Sequence, residues 1–324
     1  MENSYLEHTR LGEFLETLRL FGELHGPTVS SAGVAGFSAL DDIGRIELDY
    51  GRTLIPPKKY LLHFREEILR FREGSYLPGG SAERSIVLFG VHPCDLDGIA
   101  YLDRVFLTEP PDPAYASRRA KLILVGISCQ PDDFCFCREP QHSATCDLFL
   151  DGWQDGYKLN ALTAQGEALT EAARKLLAQA PPSPAAPTGD RGILPQDPQL
   201  RFSDNPLWDR FAKLCLACGA CSVCCPTCYC FDVREYPGLT GLGVRLREWD
   251  NCLFKTHGEV AGANFRASRL ERLRYRFLHK YCGFTPLEGV VSCVGCGRCK
   301  AACPVDIDLR ELFDPGGQNS GTVS

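Results

Sequence analysis

CLACGACSVCCPTCYC, residues 215 to 230, sets seven thiols within sixteen positions, and what holds those thiols decides how the C-terminal half of the chain folds. Cys215, Cys218, Cys221 and Cys225 follow the spacing C-x2-C-x2-C-x3-C with Pro226 behind; Cys293, Cys296, Cys299 and Cys303 repeat it with Pro304 behind. Three thiolates on one tight loop reach three irons of a cubane, and the fourth thiolate departs with the proline.

Twice over, this is the bacterial ferredoxin signature, in which the departing thiolate binds the other cluster. The expected ligand sets are therefore crossed. Cys215, Cys218, Cys221 and Cys303 form one [4Fe-4S] site, and Cys293, Cys296, Cys299 and Cys225 form the second. Zinc is the alternative, but zinc sites present two separated ligand pairs more often than three close cysteines and a proline-backed fourth. Between Cys225 and Cys293 lie 67 residues, so the insert must carry structure of its own. A helix is expected over ASRLERLRYRFLHK, and the whole C-terminal part, 199–324, reads as a mainly helical, ferredoxin-like dicluster domain.

Eighteen cysteines in 324 residues call either for an oxidising compartment with disulfides or for a reducing one with metal ligands. The opening MENSYLEHTR has no basic n-region, apolar h-region or cleavage site, so a secretory route is not expected and the chain reads as cytoplasmic. SIVLFGV (85–91) and KLILVGI (121–127), the longest apolar runs, fall far short of the roughly 20 residues of a membrane helix. A net charge of -6 argues against a nucleic-acid coat protein.

Outward from the cysteines, the N-terminal part reads as an α/β domain over 1–180. Leu11, Phe14, Leu15, Leu18 and Phe21 recur at helical spacing, RIELDY (45–50) reads as a short strand, and KKYLLHFREEILRFR is expected to be helical after Pro56 and Pro57. SIVLFG, DLDGIAYLDRVF and KLILVGI make a βαβ unit, whose two strands run parallel and end on one sheet edge. Cys94 and Cys129 sit at those ends, with Cys135 and Cys137 in the following loop. Two readings of these four stand open: a third [4Fe-4S] cluster, or buried cysteines at a sheet edge. APPSPAAPTGDRGILPQDP (180–198) is proline-rich and aperiodic, and 181–198 is taken as the interdomain linker.

Cys146, Cys224, Cys228, Cys230, Cys252 and Cys282 match no ligand pattern and read as small buried side chains rather than ligands. His92 and His142 are at most spare ligands, and Asp95 and Asp97 suit a helix N-terminus. Arg266, Arg269, Arg272, Arg274, Arg276 and Lys280 face one acid, Glu271. They read as a solvated helix face, with tuning of an anionic cluster or docking of an acidic partner as the functional alternatives. No G-x-G-x-x-G after a strand, G-x-x-x-x-G-K-[ST] or H-E-x-x-H occurs, so nucleotide, flavin and zinc-hydrolase sites have no motif, and no catalytic residue is expected.

LIPPKKYLL (54–62), GVHPCDLDGIAYLDRVF (90–106), CQPDDFCFC (129–137), CPTCYCFDV (225–233), WDNC (249–252) and CVGCGRC (293–299) carry a wider likeness. Along most of its length the chain resembles the iron-sulfur family that includes the dicluster subunit of anaerobic sulfite reductase and the beta subunit of sulfhydrogenase. It departs from that pattern at Phe265, in place of proline, and at Cys224, in place of an apolar residue. The resemblance implies a dicluster electron-transfer subunit that links a flavin-bearing, NAD(P)H-oxidising subunit to a terminal reductase or hydrogenase. Two other readings are a self-contained oxidoreductase with a flavin or small-molecule site in the N-terminal domain, and an assembly subunit braced by its clusters.

Overall fold

A computed structural model describes residues 4–72, 74–79, 84–137, 145–180, 205–238, 241–283 and 291–312. His142 and the expected linker 181–198 lie outside the described residues. In the N-terminal half the strands are β1 (Ser4–Glu7), β2 (Glu23–Val29), β3 (Ala35–Ala39), β4 (Arg65–Arg72), β5 (Ser75–Pro78), β6 (Ile86–Val91), β7 (Leu122–Ile127), β8 (Leu148–Trp153), β9 (Gly156–Ala161) and β10 (Ala178–Gln179). Its helices are α1 (Leu11–Leu18), α2 (Pro93–Phe106), α3 (Pro113–Arg119) and α4 (Ala164–Ala172). Eight strands form one sheet in the order β10-β1-β9-β8-β7-β6-β2-β3, and its centre, β2-β6-β7-β8, is parallel.

The βαβ unit is present as expected: β6 and β7 pair in parallel, with α2 and α3 in the crossover. Alternation along β6 sends Val87 and Phe89 to the core under α1 and α4, and Leu88 to the core under α2 and α3. At eight residues α1 is too short to persist alone. Phe14, Leu15 and Leu18 are fully buried, each contributing about 1.5–3 kcal/mol, and this packing holds the helix. RIELDY forms no strand: Ile43–Arg45 is a 3-10 turn and the rest is irregular.

The helix expected over KKYLLHFREEILRFR is corrected. Pro57–Tyr60 makes one 3-10 turn, residues 61–64 are irregular, and Arg65–Arg72 is β4, an extended strand. In the C-terminal half come α5 (Leu207–Leu214), α6 (Ala220–Val223), β11 (Phe231–Pro237), β12 (Leu242–Trp249), α7 (Arg269–Tyr281) and α8 (Arg298–Ala301). β4 pairs with β12, which closes a second sheet, β11-β12-β4-β5, from strands of both halves. Its ion pairs explain why β4 is extended. Glu66 on β4 is buried between Arg118 of α3 and Arg247 of β12, and Arg247 also reaches Asp112 at 2.5 Å. Only an extended segment lying beside β12 brings one carboxylate to both guanidinium groups.

The C-terminal half is thus mixed rather than mainly helical. The helix expected near ASRLERLRYRFLHK is α7, opened by a capping box of Ser268 and Glu271. Trp208, Phe211, Leu253, Leu273, Phe277 and Leu312 make a separate core between α5, α7 and the chain's last described turn. Against the first cysteine loop α2 lies close, since a Cβ on Gly98 would stand 2.8 Å from Pro226. Gly98→Val should therefore overpack that contact and cost about 1–3 kcal/mol. Guanidinium unfolding reads the change, and an unmoved midpoint would show that helix and cysteine loop do not bear on each other.

Candidate metal centres

Both cysteine loops share one backbone form. Ala217 and Gly219 in the first, and Gly295 and Gly297 in the second, have φ of 52, 82, 68 and 70°. Each pair stands two and four residues after the leading cysteine, and a short helix, α6 or α8, follows each loop. Successive amides in such left-handed turns point inward and form a concavity suited to an anion. The Ala217 amide already donates to the Cys215 sulfur at 3.4 Å, and the Ile307 amide to the Cys303 sulfur at 3.3 Å.

Cys215, Cys218, Cys221 and Cys303, together with Cys299, line one cavity, walled by Leu253, Leu273, Ile307 and Leu309. Cys225, Cys293, Cys296 and Cys299 also meet. Burial pushes the thiols of Cys293, Cys296 and Cys299 up, Cys296 to about 11, and in all three the charge of Cys225 adds to the rise. Burial raises Cys225 as well, but Lys280 and Arg276 beside it outweigh that and bring it down to about 7. Free thiolates so placed would be costly; bound to iron they are stabilised by the metal's charge.

The four N-terminal thiols also come together. Cys137 contacts Cys135, and the charges of Cys94 and Cys129 bear on it. Cys94 in turn neighbours Cys129 and Cys296. This loop sits on the second ferredoxin loop: the Phe136 amide donates to the Gly295 carbonyl at 2.8 Å, and a Cβ on Gly297 would stand 2.3 Å from the Phe134 carbonyl oxygen. Glycine at these two positions lets the two backbones touch.

Arginine and lysine placement differs from the expected solvated face. Arg272, Arg276 and Lys280 are buried. Arg276 donates to the Cys221 carbonyl at 2.6 Å and the Ser222 hydroxyl at 2.9 Å, while its Nε has no partner. It lies near Cys221, Cys225 and Cys299 together, so it stands between the two cysteine loops. A buried cation with an orphaned N–H beside several thiols fits anionic clusters there. Arg269 bonds the Cys215 carbonyl at 2.9 Å, and Arg266 stacks on Tyr275.

Asp95 stands in the first turn of α2, as expected, but caps no backbone amide there. His92 occupies the N-cap of α2 without a side-chain bond, and Asp95 lies buried with both oxygens on Arg298 at 2.7 and 2.8 Å. Arg298 also bonds Thr53, tying α2 to the second ferredoxin loop. Nothing in the motif C-V-G-C-G-R-C distinguishes that arginine; only the fold brings Asp95 to it. Asp97 is pushed up to about 6 by burial. His92 is stacked on Tyr50 and held near pKa 3 by burial and the Arg298 charge, so it serves as a neutral packed ring. Cys146 is a core residue whose thiol bonds the Leu148 carbonyl at 2.8 Å.

Among the described residues no three His, Cys, Asp or Glu side chains close on a point for a single metal ion. A cubane asks for another arrangement, with thiolates standing off at the corners of a cage. No helix of the described residues is long and apolar enough to cross a membrane.

The sequence profile of the 4Fe-4S dicluster domain matches residues 214–307, the stretch holding both cysteine loops. Sulfhydrogenase 2 subunit beta of Pyrococcus furiosus is 34% identical over 326 residues, covering 93% of this chain and 94% of that protein. Matching the dicluster profile across both cysteine loops and that relative along nearly its full length, the chain belongs to the iron-sulfur beta-subunit family of electron-transfer oxidoreductase subunits.

Proposed function

We propose that this protein relays electrons inside a multisubunit oxidoreductase, from a flavin/NAD(P)H-linked subunit to a terminal reductase or hydrogenase or in the reverse direction. The observation that carries the reading is the placement of three thiol sets in series, each within electrostatic reach of the next or of the cation between them. Cys94 of the N-terminal set neighbours Cys296 of the second, and Arg276 stands between the second set and the first. Two [4Fe-4S] clusters in the crossed sets, and a third on Cys94, Cys129, Cys135 and Cys137, would supply one-electron carriers there. The chain's own part is to hold thiolates, aim loop amides at sulfur and set buried cations beside them, all of which favour the more negative, reduced state. The relative's name, a sulfhydrogenase subunit, supports a hydrogenase among the terminal partners.

Iron and acid-labile sulfide in anaerobically prepared protein should come to at least about twelve of each per chain, from four per cubane. About eight would remove the third cluster and leave the crossed pair. Potentiometric EPR tests the relay itself: the centres should be reducible by a flavin-linked donor, and centres that no such donor reduces would leave clusters that only brace an assembly. A cavity of about 460 Å³ in the N-terminal half, lined by His25, Lys59, Tyr60 and Arg118 among others, favours the self-contained alternative. Flavin in the purified chain, with partner-free turnover, would establish that alternative in place of the relay.

A further inference from the structure

The residue that follows Pro226 turns back on the cysteine before it. The Cys228 amide donates to the Cys225 carbonyl at 3.2 Å, and in the turn so closed the Thr227 hydroxyl lies 3.4 Å from the Cys225 sulfur. Thr227 is wholly buried. Its hydroxyl oxygen also meets the Lys280 ammonium, at 2.8 Å.

Those two contacts fix the direction of the hydroxyl. An ammonium has three donors and no acceptor, whereas a hydroxyl carries one proton and two lone pairs. Lys280 therefore takes a lone pair of the Thr227 oxygen, which leaves the proton for the sulfur. A thiolate at Cys225 has no proton of its own and can only accept. Donation runs from ammonium to hydroxyl to sulfur, and in a buried site each bond polarises the next.

Lys280 is itself tied to the second loop. Near the end of α7 its carbonyl accepts the Ser292 amide at 2.9 Å and the Cys293 amide at 3.2 Å. One residue thus reaches the leading cysteine of the second motif through its backbone and the fourth cysteine of the first through its side chain. It is 6% exposed, and among the described residues no carboxylate opposes it. A buried ammonium needs a counter-charge, and the thiolate at the end of this chain of bonds provides it.

We propose that Thr227, oriented by Lys280, donates a hydrogen bond to the Cys225 sulfur and thereby raises the reduction potential of the cluster that Cys225 binds. The proposal rests on the relay reading, in which that cluster is one of the carriers, and names two residues that set its potential. Reduction adds negative charge that the sulfurs share, so a donor and a cation at one sulfur stabilise the reduced cage more than the oxidised one. Both are positioning residues, since neither touches iron.

Potentiometric EPR tests this on the whole chain, prepared anaerobically, with iron and sulfide counted and chemical mediators present. Thr227→Val nearly keeps the shape and removes the hydroxyl; Thr227→Ser keeps the hydroxyl. Valine should shift one cluster to a more negative potential with iron and sulfide unchanged, and serine should leave it near wild type. Lys280→Met should shift the same cluster the same way, and the double variant should fall short of the two shifts added, because both act through one bond. That cluster should be the one that Cys225→Ser removes. No shift with valine, or equal shifts with valine and serine, would overturn the proposal. Should valine cost the cluster itself, Lys280→Met decides, and an unmoved potential there would overturn it equally. Failure of the relay reads differently: the shifts would stand with mediators while no flavin-linked donor reduced the wild type.

Discussion

Cys303→Ser should abolish or convert the cluster whose other three ligands, Cys215, Cys218 and Cys221, lie more than eighty residues earlier, and leave the neighbouring Cys293, Cys296, Cys299 cluster intact. The reason is positional. Cys303 lines the cavity of the first loop's thiols, and its sulfur takes the Ile307 amide there, while Cys225 stands with the second loop. A cubane losing one thiolate sheds an iron or the whole core, so about one to four irons per chain should go. EPR of the reduced protein separates the two sites, because coupling between neighbouring clusters is lost when one departs. The reciprocal variant, Cys225→Ser, should strike the second site instead. If Cys303→Ser perturbed only the Cys293 cluster, the crossed assignment would be wrong and each loop would serve itself.

Asp95→Asn should be among the most destabilising changes outside the cluster ligands. Asp95 and Arg298 are 0% and 2% exposed, and the carboxylate takes both guanidinium nitrogens. Burial works against the Arg298 charge, but Asp95 and the nearby thiols more than restore it, so the guanidinium stays charged. Removing the carboxylate strands that charge at a cost of about 3–5 kcal/mol. The loss should appear as a lowered guanidinium midpoint with an unchanged slope. Arg298 lies two residues from Cys296, so the variant should also shift the potential of the second cluster. A midpoint and a potential both within error of wild type would show that the pair neither holds α2 nor touches the cluster.

Much of the site is legible in the chain because cubane ligands are local in sequence. Two loops of three cysteines declare themselves by spacing, each with a proline behind its fourth thiol, and the 4Fe-4S dicluster profile matches that stretch. The parallel β6–β7 pair is equally open to reading, since SIVLFG and KLILVGI are continuous apolar runs buried on both faces. What escapes is every feature built by partners far apart. REEILRFR has apolar residues at Ile68, Leu69 and Phe71 beside strong helix formers, so local preference points to a helix; its pairing with β12, over 170 residues later, overrides that preference. In α7, arginine and lysine look like a solvent face until the cysteine loops close over Arg276 and Lys280. Cys230 and Cys252 are separated by the β11–β12 hairpin, whose register brings its two ends side by side.

Because β4 and β5 belong to the first half of the chain while β11 and β12 belong to the second, neither half possesses that sheet by itself. A fragment ending near residue 180 would carry β4 with one flank bare, its backbone groups and Glu66 seeking partners that were cut away, and such a flank invites other molecules to stack upon it. Genetic fission at the proline-rich stretch should thus yield aggregating pieces rather than two working modules. The polypeptide is better understood as a clasp fastened across its middle than as beads on a string.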